Sequence, residues 1–149
     1  MGFGWIREAV VERILTLKLK IAHLNRKKKN SSHKYFASLI DLAHNYDILP
    51  HGRETVRVIN AEELKVLGPT GIFINIGCGT GVDENSLIES LTDKHIATAG
   101  LDMHAGEPTI SKVPRELGNT VLLPHIGSVT IETQDAMGDL VLKNLGEFF

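Results

Sequence analysis

A chain of 149 residues, 42% hydrophobic and 23% charged, has the size and composition of one ordinary globular domain with a buried core. Its formal net charge of -2 excludes a general electrostatic pull toward nucleic acid or an acidic membrane, with Arg26-Lys27-Lys28-Lys29 the one basic cluster. The single cysteine, Cys78, excludes an intrachain disulfide, and a reducing, cytosolic setting is the expectation.

Residues 5–17 repeat apolar side chains at helical spacing, with Ile6, Val10, Ile14 and Leu17 as the expected buried side. Arg7, Glu8, Glu12 and Arg13 interrupt this run, so it is no signal peptide, and Ile6 stands where a myristoylation motif needs Ser or Thr. No apolar run in the chain is long enough to span a bilayer. Lys18 to Leu24 alternates, which predicts a strand with Leu19, Ile21 and His23 inward. The polar run from Asn25 to Ser32 predicts a loop, Phe36 to Ala43 a short helix, and Asp47-Ile48-Leu49 the start of a strand that Pro50 and Gly52 cut short.

Asn60 opens the next predicted helix, with Glu63 as its capping-box partner and Gly68-Pro69 as its end. Gly71 to Ile76 is an apolar, β-branched run expected to form a strand buried on both faces. Asp83 caps a helix through Leu91, with Asp83-Glu84 favoured by the helix dipole. Ile96–Leu101 and Val121–Leu123 are further strands, the latter stopped by Pro124. From Ile131 a last helix aligns Met137, Leu140, Val141, Leu145 and Phe148 on one face, expected to be core or a contact with another domain.

Strands alternating with helices at this pitch predict an α/β fold, a Rossmann-like, doubly wound parallel sheet with right-handed crossovers. Residues 1–149 carry no internal repeat or convincing linker, so one domain is expected. In such a sheet ligands sit beyond the carboxyl ends of the strands. Three blocks occupy those loops: GIFINIGCGTGVDE from Gly71, GLDMHAGEP from Gly100 and VLLPHIGS from Val121. One carries Glu107 and another His125, a carboxylate and an imidazole able to move a proton near neutral pH. His23, His33, His44, His51, His95 and His104 show no metal-ligand spacing and are expected at the surface or in packing, so no metal site is predicted.

Gly2-Phe3-Gly4-Trp5-Ile6-Arg7 opens the first helix. Glycines there let backbone N–H groups approach a pyrophosphate at the helix N-terminus. Arg7 stands where the dinucleotide fingerprint has its third glycine, so the helix is expected to shift outward or turn this side chain into solvent. After the Leu19–Leu24 strand an NAD site has an acid for the ribose hydroxyls. Here Asn25-Arg26-Lys27 stands instead, which suits a 2′-phosphate and favours NADP over NAD, beside the alternative of a solvated basic loop. The strand expected before Gly2 is absent from the sequence. Its neighbours are therefore expected to lack hydrogen-bond partners, at about 1–3 kcal/mol for each buried unpaired group.

Taken together, VLGPTGIFINIGCGTGVDE, GLDMHAGEP and LLPHIGSVTIET, in order and at these separations, resemble the D-isomer-specific 2-hydroxyacid dehydrogenases. Within that family the plant-type hydroxyphenylpyruvate and glyoxylate/hydroxypyruvate reductases are the most similar. The resemblance implies hydride transfer between NAD(P)H and a small 2-keto acid, in a family that commonly dimerises through its cofactor domain. It places His125 as the acid/base, Glu107 as the carboxylate that orients the imidazole, and Asp102 at the nicotinamide carboxamide. It also places Ile76, Gly77 and Cys78 along the cofactor loop, with Trp5 and Ile6 presenting amides to the pyrophosphate.

Three departures bear on activity. Cys78 occupies the position of the family's catalytic arginine, whose planar cation grips the keto-acid carboxylate, and a thiol is mostly neutral at pH 7. Arg53 and Arg57 have no spacing that makes them substitutes. Pro50-His51-Gly52-Arg53 is about four residues shorter than the family's loop, and the substrate domain that faces the cofactor across the cleft is missing. Two readings follow: an impaired NADP(H)-linked reductase completed by a substrate domain, or a non-catalytic nucleotide-binding or partner-binding remnant. A nucleic-acid contact through Arg26–Lys29 ranks last, because interleaved aromatics and a broad basic face are lacking. A Cys78–His125 nucleophilic pair is the weakest alternative.

Overall fold

In the computed structural model, residues 5–25, 31–52, 59–77, 81–104 and 112–148 are described. The elements run α1 (Trp5–Leu15), β1 (Ala22–Leu24), β2 (Lys34–Phe36), α2 (Leu39–Asn45), β3 (Ile48–His51), α3 (Ala61–Leu67), β4 (Ile72–Asn75), α4 (Glu84–Thr92), β5 (Thr98–Leu101), α5 (Lys112–Glu116), β6 (Thr120–Leu122) and α6 (Ile131–Phe148).

Every strand pair is parallel, as alternating strands and helices require. The strands β3, β4, β5 and β6 lie side by side in chain order, while β1 and β2 form a separate pair. Among the described strands β1, β2, β3 and β6 each keep one edge unpaired. β3 contains Pro50 instead of ending at it. Ile72 N–H donates to the Asp47 carbonyl oxygen and Ile76 N–H to that of His51. The odd-numbered residues therefore face β4 and Pro50 faces the open edge, where a missing N–H removes no ladder bond.

Alternation along the strands buries Leu49 and His51, Phe73 and Asn75, and Ala99 and Leu101 on one face. With Leu42, Ile59, Leu64, Leu67, Leu87, Leu91 and Ile96 they form the interior, and α2, α3 and α4 pack in a row over it. Completely buried Phe73 contributes about 1.5–3 kcal/mol by its removal from water. Ile72 and Ile74, on the opposite face, are only half-buried, so β4 is covered on one side and not on both as its composition suggested.

The caps follow the local chemistry. The Asn60 side chain accepts from Glu62 N–H at 2.8 Å while Glu63 Oε2 accepts from Asn60 N–H at 3.0 Å. This reciprocal box explains how the Glu63 carboxylate tolerates burial. Gly68 closes α3, and Asp83 Oδ2 accepts from Ser86 N–H at the start of α4.

Elsewhere the sequence expectations need correction. The first strand spans only Ala22–Leu24, and Leu19 is exposed ahead of it, although His23 is buried as expected. The helix expected from Phe36 starts at Leu39, because Phe36 belongs to β2 and the Ser38 hydroxyl caps the helix by accepting from Asp41 N–H. Val10 and Leu17, expected inward on α1, are exposed. The apolar face of α6 is not core: Met137, Leu140, Val141, Leu145 and Phe148 are all exposed, and none of its described residues is buried. No helix among the described residues is long and apolar enough to cross a membrane.

Candidate cofactor and proton-transfer site

Four parallel strands end at one edge of the sheet, at His51, Asn75, Leu101 and Leu122. The ladder continues one step beyond them. Ile76 N–H donates to the His51 carbonyl oxygen, Asp102 N–H to that of Asn75 and Leu123 N–H to that of Leu101, each at 2.9 Å. The first residues of each loop are thus held as rigidly as the strands.

Side chains then fasten one loop to the next. Asn75, 1% exposed, donates from Nδ2 to the Met103 carbonyl oxygen at 3.2 Å and accepts at Oδ1 from Gly77 N–H at 3.2 Å. Asp102, 8% exposed, accepts at Oδ1 from Ile126 N–H at 2.8 Å and at Oδ2 from Gly127 N–H at 3.1 Å. The His104 ring, also largely buried, meets the Leu123 carbonyl oxygen through Nε2 at 3.1 Å, which requires the Nε2–H tautomer. His51, wholly buried, lies against Gly81 so closely that any Cβ there would overlap its ring. A side chain at that position would require the imidazole to shift.

His125 projects from the β6–α6 loop, exposed, with φ 54°. This left-handed conformation is uncommon without glycine and costs about 1–3 kcal/mol. The next two amides, Ile126 N–H and Gly127 N–H, both donate to the Asp102 carboxylate. His125 and Asp102, given separate roles by the sequence, are linked through the amides of residues 126 and 127. Ile76 is exposed at the same edge and Gly77 is tied to Asn75.

Trp5 and Ile6 begin α1, so their N–H groups belong to the first turn, which has no intrahelical acceptors. A helix that starts directly after the glycine run fits a bound pyrophosphate. Asn25 follows β1, and its carbonyl oxygen accepts from the Tyr35 hydroxyl at 3.3 Å. Gly2, Gly4, Arg26, Lys27, Cys78 and Glu107 lie outside the described residues, as do Arg53 and Arg57, and with them the expected contact of Glu107 with His125. Among the described residues no cluster of three or more His, Cys, Asp or Glu side chains could hold a metal ion. A hollow of about 480 Å³ is lined by Pro69, Leu91, Lys94, Ile96, Leu117 and Asn119, among others. It lies where β4, β5 and β6 begin, the edge away from these loops, and is unrelated to the site.

Sequence reasoning missed Asn75 and the structural use of His104. Asn75 carried a signal: it ends the run Ile72-Phe73-Ile74 at the same parity as buried Phe73. A polar side chain at such an inward position needs hydrogen-bond partners.

Residues 1–127 match the profile described as "D-isomer specific 2-hydroxyacid dehydrogenase, NAD binding domain". Hydroxyphenylpyruvate reductase of Plectranthus scutellarioides is 42% identical over 154 aligned residues, covering 100% of this chain and 49% of that protein. Glyoxylate/hydroxypyruvate reductase A of Arabidopsis thaliana is 38% identical with the same coverage. Among solved structures, the NADPH-dependent glyoxylate/hydroxypyruvate reductase of Sinorhizobium meliloti with bound citrate superposes with a TM-score of 0.96 at 36% identity. That match covers 99% of this chain and 48% of the reductase. The same reductase in complex with NADP and malonate gives 0.94 at 35% identity, over 100% of this chain and 48% of the reductase. The chain thus spans about half the length of these relatives. Its parallel strands, its anchored histidine loop and these matches together show that it belongs to the D-isomer-specific 2-hydroxyacid dehydrogenases, as a version of their NAD-binding domain.

Proposed function

We propose that residues 1–149 form the single cofactor domain of an NADP(H)-linked reductase of small 2-keto acids of the glyoxylate, hydroxypyruvate or hydroxyphenylpyruvate type. The observation that carries this reading is the position of His125. Its loop is fastened by Asp102 to the carboxyl edge of the sheet, where Asn75 also anchors Gly77. The nicotinamide, when bound, supplies the hydride that ends on C2 of the keto acid. His125 gives its proton to the carbonyl oxygen, so the product is the 2-hydroxy acid. Glu107 holds the imidazole in its protonated form beforehand.

Gly2, Gly4, Trp5 and Ile6 present backbone N–H groups to the pyrophosphate. Asn25, Arg26 and Lys27 take the 2′-phosphate, which favours NADP over NAD, while Ile76, Gly77 and Cys78 line the nicotinamide side. The relative solved with NADP and malonate supports this choice of cofactor and of a small acid as substrate. A substrate domain, carried by another chain or a longer gene product, closes the cleft. As part of the same reading two copies pair through this domain in the cytosol, which light scattering and cell fractionation test.

Cys78 in place of the family's arginine favours a second reading, a nucleotide-binding or partner-binding remnant without turnover. NADPH titration followed by an absorbance assay with glyoxylate, hydroxypyruvate and hydroxyphenylpyruvate, run with a relative's substrate domain supplied, separates the two. Oxidation of NADPH that depends on the keto acid and is lost in His125→Asn supports the reductase. Saturable binding without oxidation supports the remnant, and failure to bind either nicotinamide cofactor overturns both nucleotide readings.

A further inference from the structure

Asp102 does more at this edge than the carboxamide contact that the family resemblance implies. Both oxygens of its largely buried carboxylate are engaged by consecutive backbone amides, Ile126 N–H at 2.8 Å and Gly127 N–H at 3.1 Å. The first of these amides belongs to the peptide plane that follows His125, so the bond restrains ψ of the histidine itself. The second restrains the next plane. Fixing those planes favours one direction for the side chain of residue 125, whose φ of 54° lies in the left-handed region and costs a non-glycine residue about 1–3 kcal/mol. The other end of the brace is equally firm, since Asp102 N–H is bonded to the Asn75 carbonyl oxygen and Met103 to the Asn75 side chain.

Gly127 shows how closely the parts fit. A Cβ on that residue would lie 2.9 Å from Asp102 Oδ2, inside van der Waals contact. Its φ is not in the left-handed region, so the backbone alone would accept alanine, and the carboxylate is what excludes it.

We infer that Asp102 is a positioning residue: its carboxylate sets the direction of the His125 imidazole through the 126 and 127 amides. The inference rests on the reading of His125 as proton donor for its purpose, but its test does not depend on turnover. Charge-assisted bonds of this kind use two of the roughly four acceptor positions of a carboxylate, leaving it able to meet a ligand as well.

The test is NMR on the isotopically labelled 149-residue chain, comparing wild type with Asp102→Asn, Asp102→Ala and Gly127→Ala. In Asp102→Ala, hydrogen exchange at the 126 and 127 amides rises about 10- to 100-fold, while Phe73 and Ala99 amides are unchanged. The His125 ring resonances move toward those of an unrestrained histidine. Asp102→Asn, which keeps one acceptor, restores protection at one of the two amides and part of the ring shift. An unchanged ring signal alongside deprotected amides reduces Asp102 to a loop brace and overturns the inference, as do unchanged amides. Should Asp102→Ala unfold, which loss of protection at Phe73 and Ala99 reveals, Gly127→Ala decides: it displaces the carboxylate without removing it and must shift both the Gly127 amide and the ring. NADPH titration of the wild type runs alongside; failure to bind sinks the reductase reading and leaves the ring measurement standing.

Discussion

Wholly buried His51 at the end of β3 packs on the backbone of Gly81, and the contact leaves no volume for a side chain at residue 81. Gly81 also presents its carbonyl oxygen to Ile59 N–H at 3.2 Å, and Asp83 N–H returns to the Ile59 carbonyl oxygen at 2.9 Å. The segment leading into α4 is therefore pinned on two sides, by the imidazole and by the bridge between Ile59 and Val82.

Gly81→Ala is accordingly expected to destabilise the chain by about 1–3 kcal/mol, the usual range for overpacking a well-filled interior. Gly138→Ala is the control: that glycine lies within α6, where an added Cβ meets no neighbour. It is expected to stabilise by up to about 1 kcal/mol through helix propensity alone. Urea unfolding of the three proteins measures both. Equal midpoints for Gly81→Ala and wild type would show that the ring yields.

Asn75 makes a different demand. Replacing it by alanine removes the partner of Gly77 N–H and of the Met103 carbonyl oxygen, both part-buried, at up to about 1–3 kcal/mol for each. Asn75→Asp keeps the acceptor for Gly77 but turns the donor toward Met103 into a second acceptor, so carbonyl and carboxylate repel. The aspartate variant is expected to be no more stable than the alanine one. A denaturation series checks this, and an aspartate variant as stable as wild type would mean that the Met103 contact contributes nothing.

How far these features were legible depends on the range over which their causes act. The Asn60–Glu63 box, the Asp83 cap and the Gly68 stop involve neighbours within a turn, so the residues themselves announce them. The strands around Phe73 and Ala99 were legible because an apolar run between breakers has few alternatives. β2 was not, since Lys34-Tyr35-Phe36 is three residues long and is a strand only by pairing with Ala22-His23-Leu24. For the exposed face of α6 the core alternative fails for the opposite reason: periodicity shows which residues share a face and not what covers it. In the site, the loops were legible from their position after strands. The fastening of Asp102 to residues 126 and 127 was not, because it joins positions 24 and 25 residues apart.

Glu132 gives a pH dependence with a definite sign. Its carboxyl, in the first turn of α6, is held below its ordinary value of 4.5, first by its own backbone N–H and then by the Thr130 side chain, with burial opposing. A depressed carboxyl stabilises the helix start above its unfolded value and loses that contribution as pH falls through the lower, folded value. Exchange at amides 131–134 is expected to accelerate in that acidic window in the wild type and to show no such step in Glu132→Gln. A carboxyl ¹³C titration reads the group directly, and Thr130→Val is expected to move it back toward 4.5.

Residue 78 is where activity is expected to respond most. Gly77, immediately before it, is anchored by its N–H to Asn75 Oδ1. An arginine at 78 would offer the planar, permanently charged donor pair that a keto-acid carboxylate accepts, whereas a thiol offers one weak donor. Two charge-assisted hydrogen bonds at about 1.5–3 kcal/mol each amount to roughly 10²- to 10⁴-fold in kcat/KM. Cys78→Arg, assayed with hydroxypyruvate together with a substrate domain from a relative, is expected to gain in that range. Cys78→Lys is expected to gain less, because an ammonium cannot form the bidentate pair, and Cys78→Ser not at all. If Cys78→Arg leaves kcat/KM at the wild-type level while His125→Asn abolishes it, the missing cation is not what limits this chain.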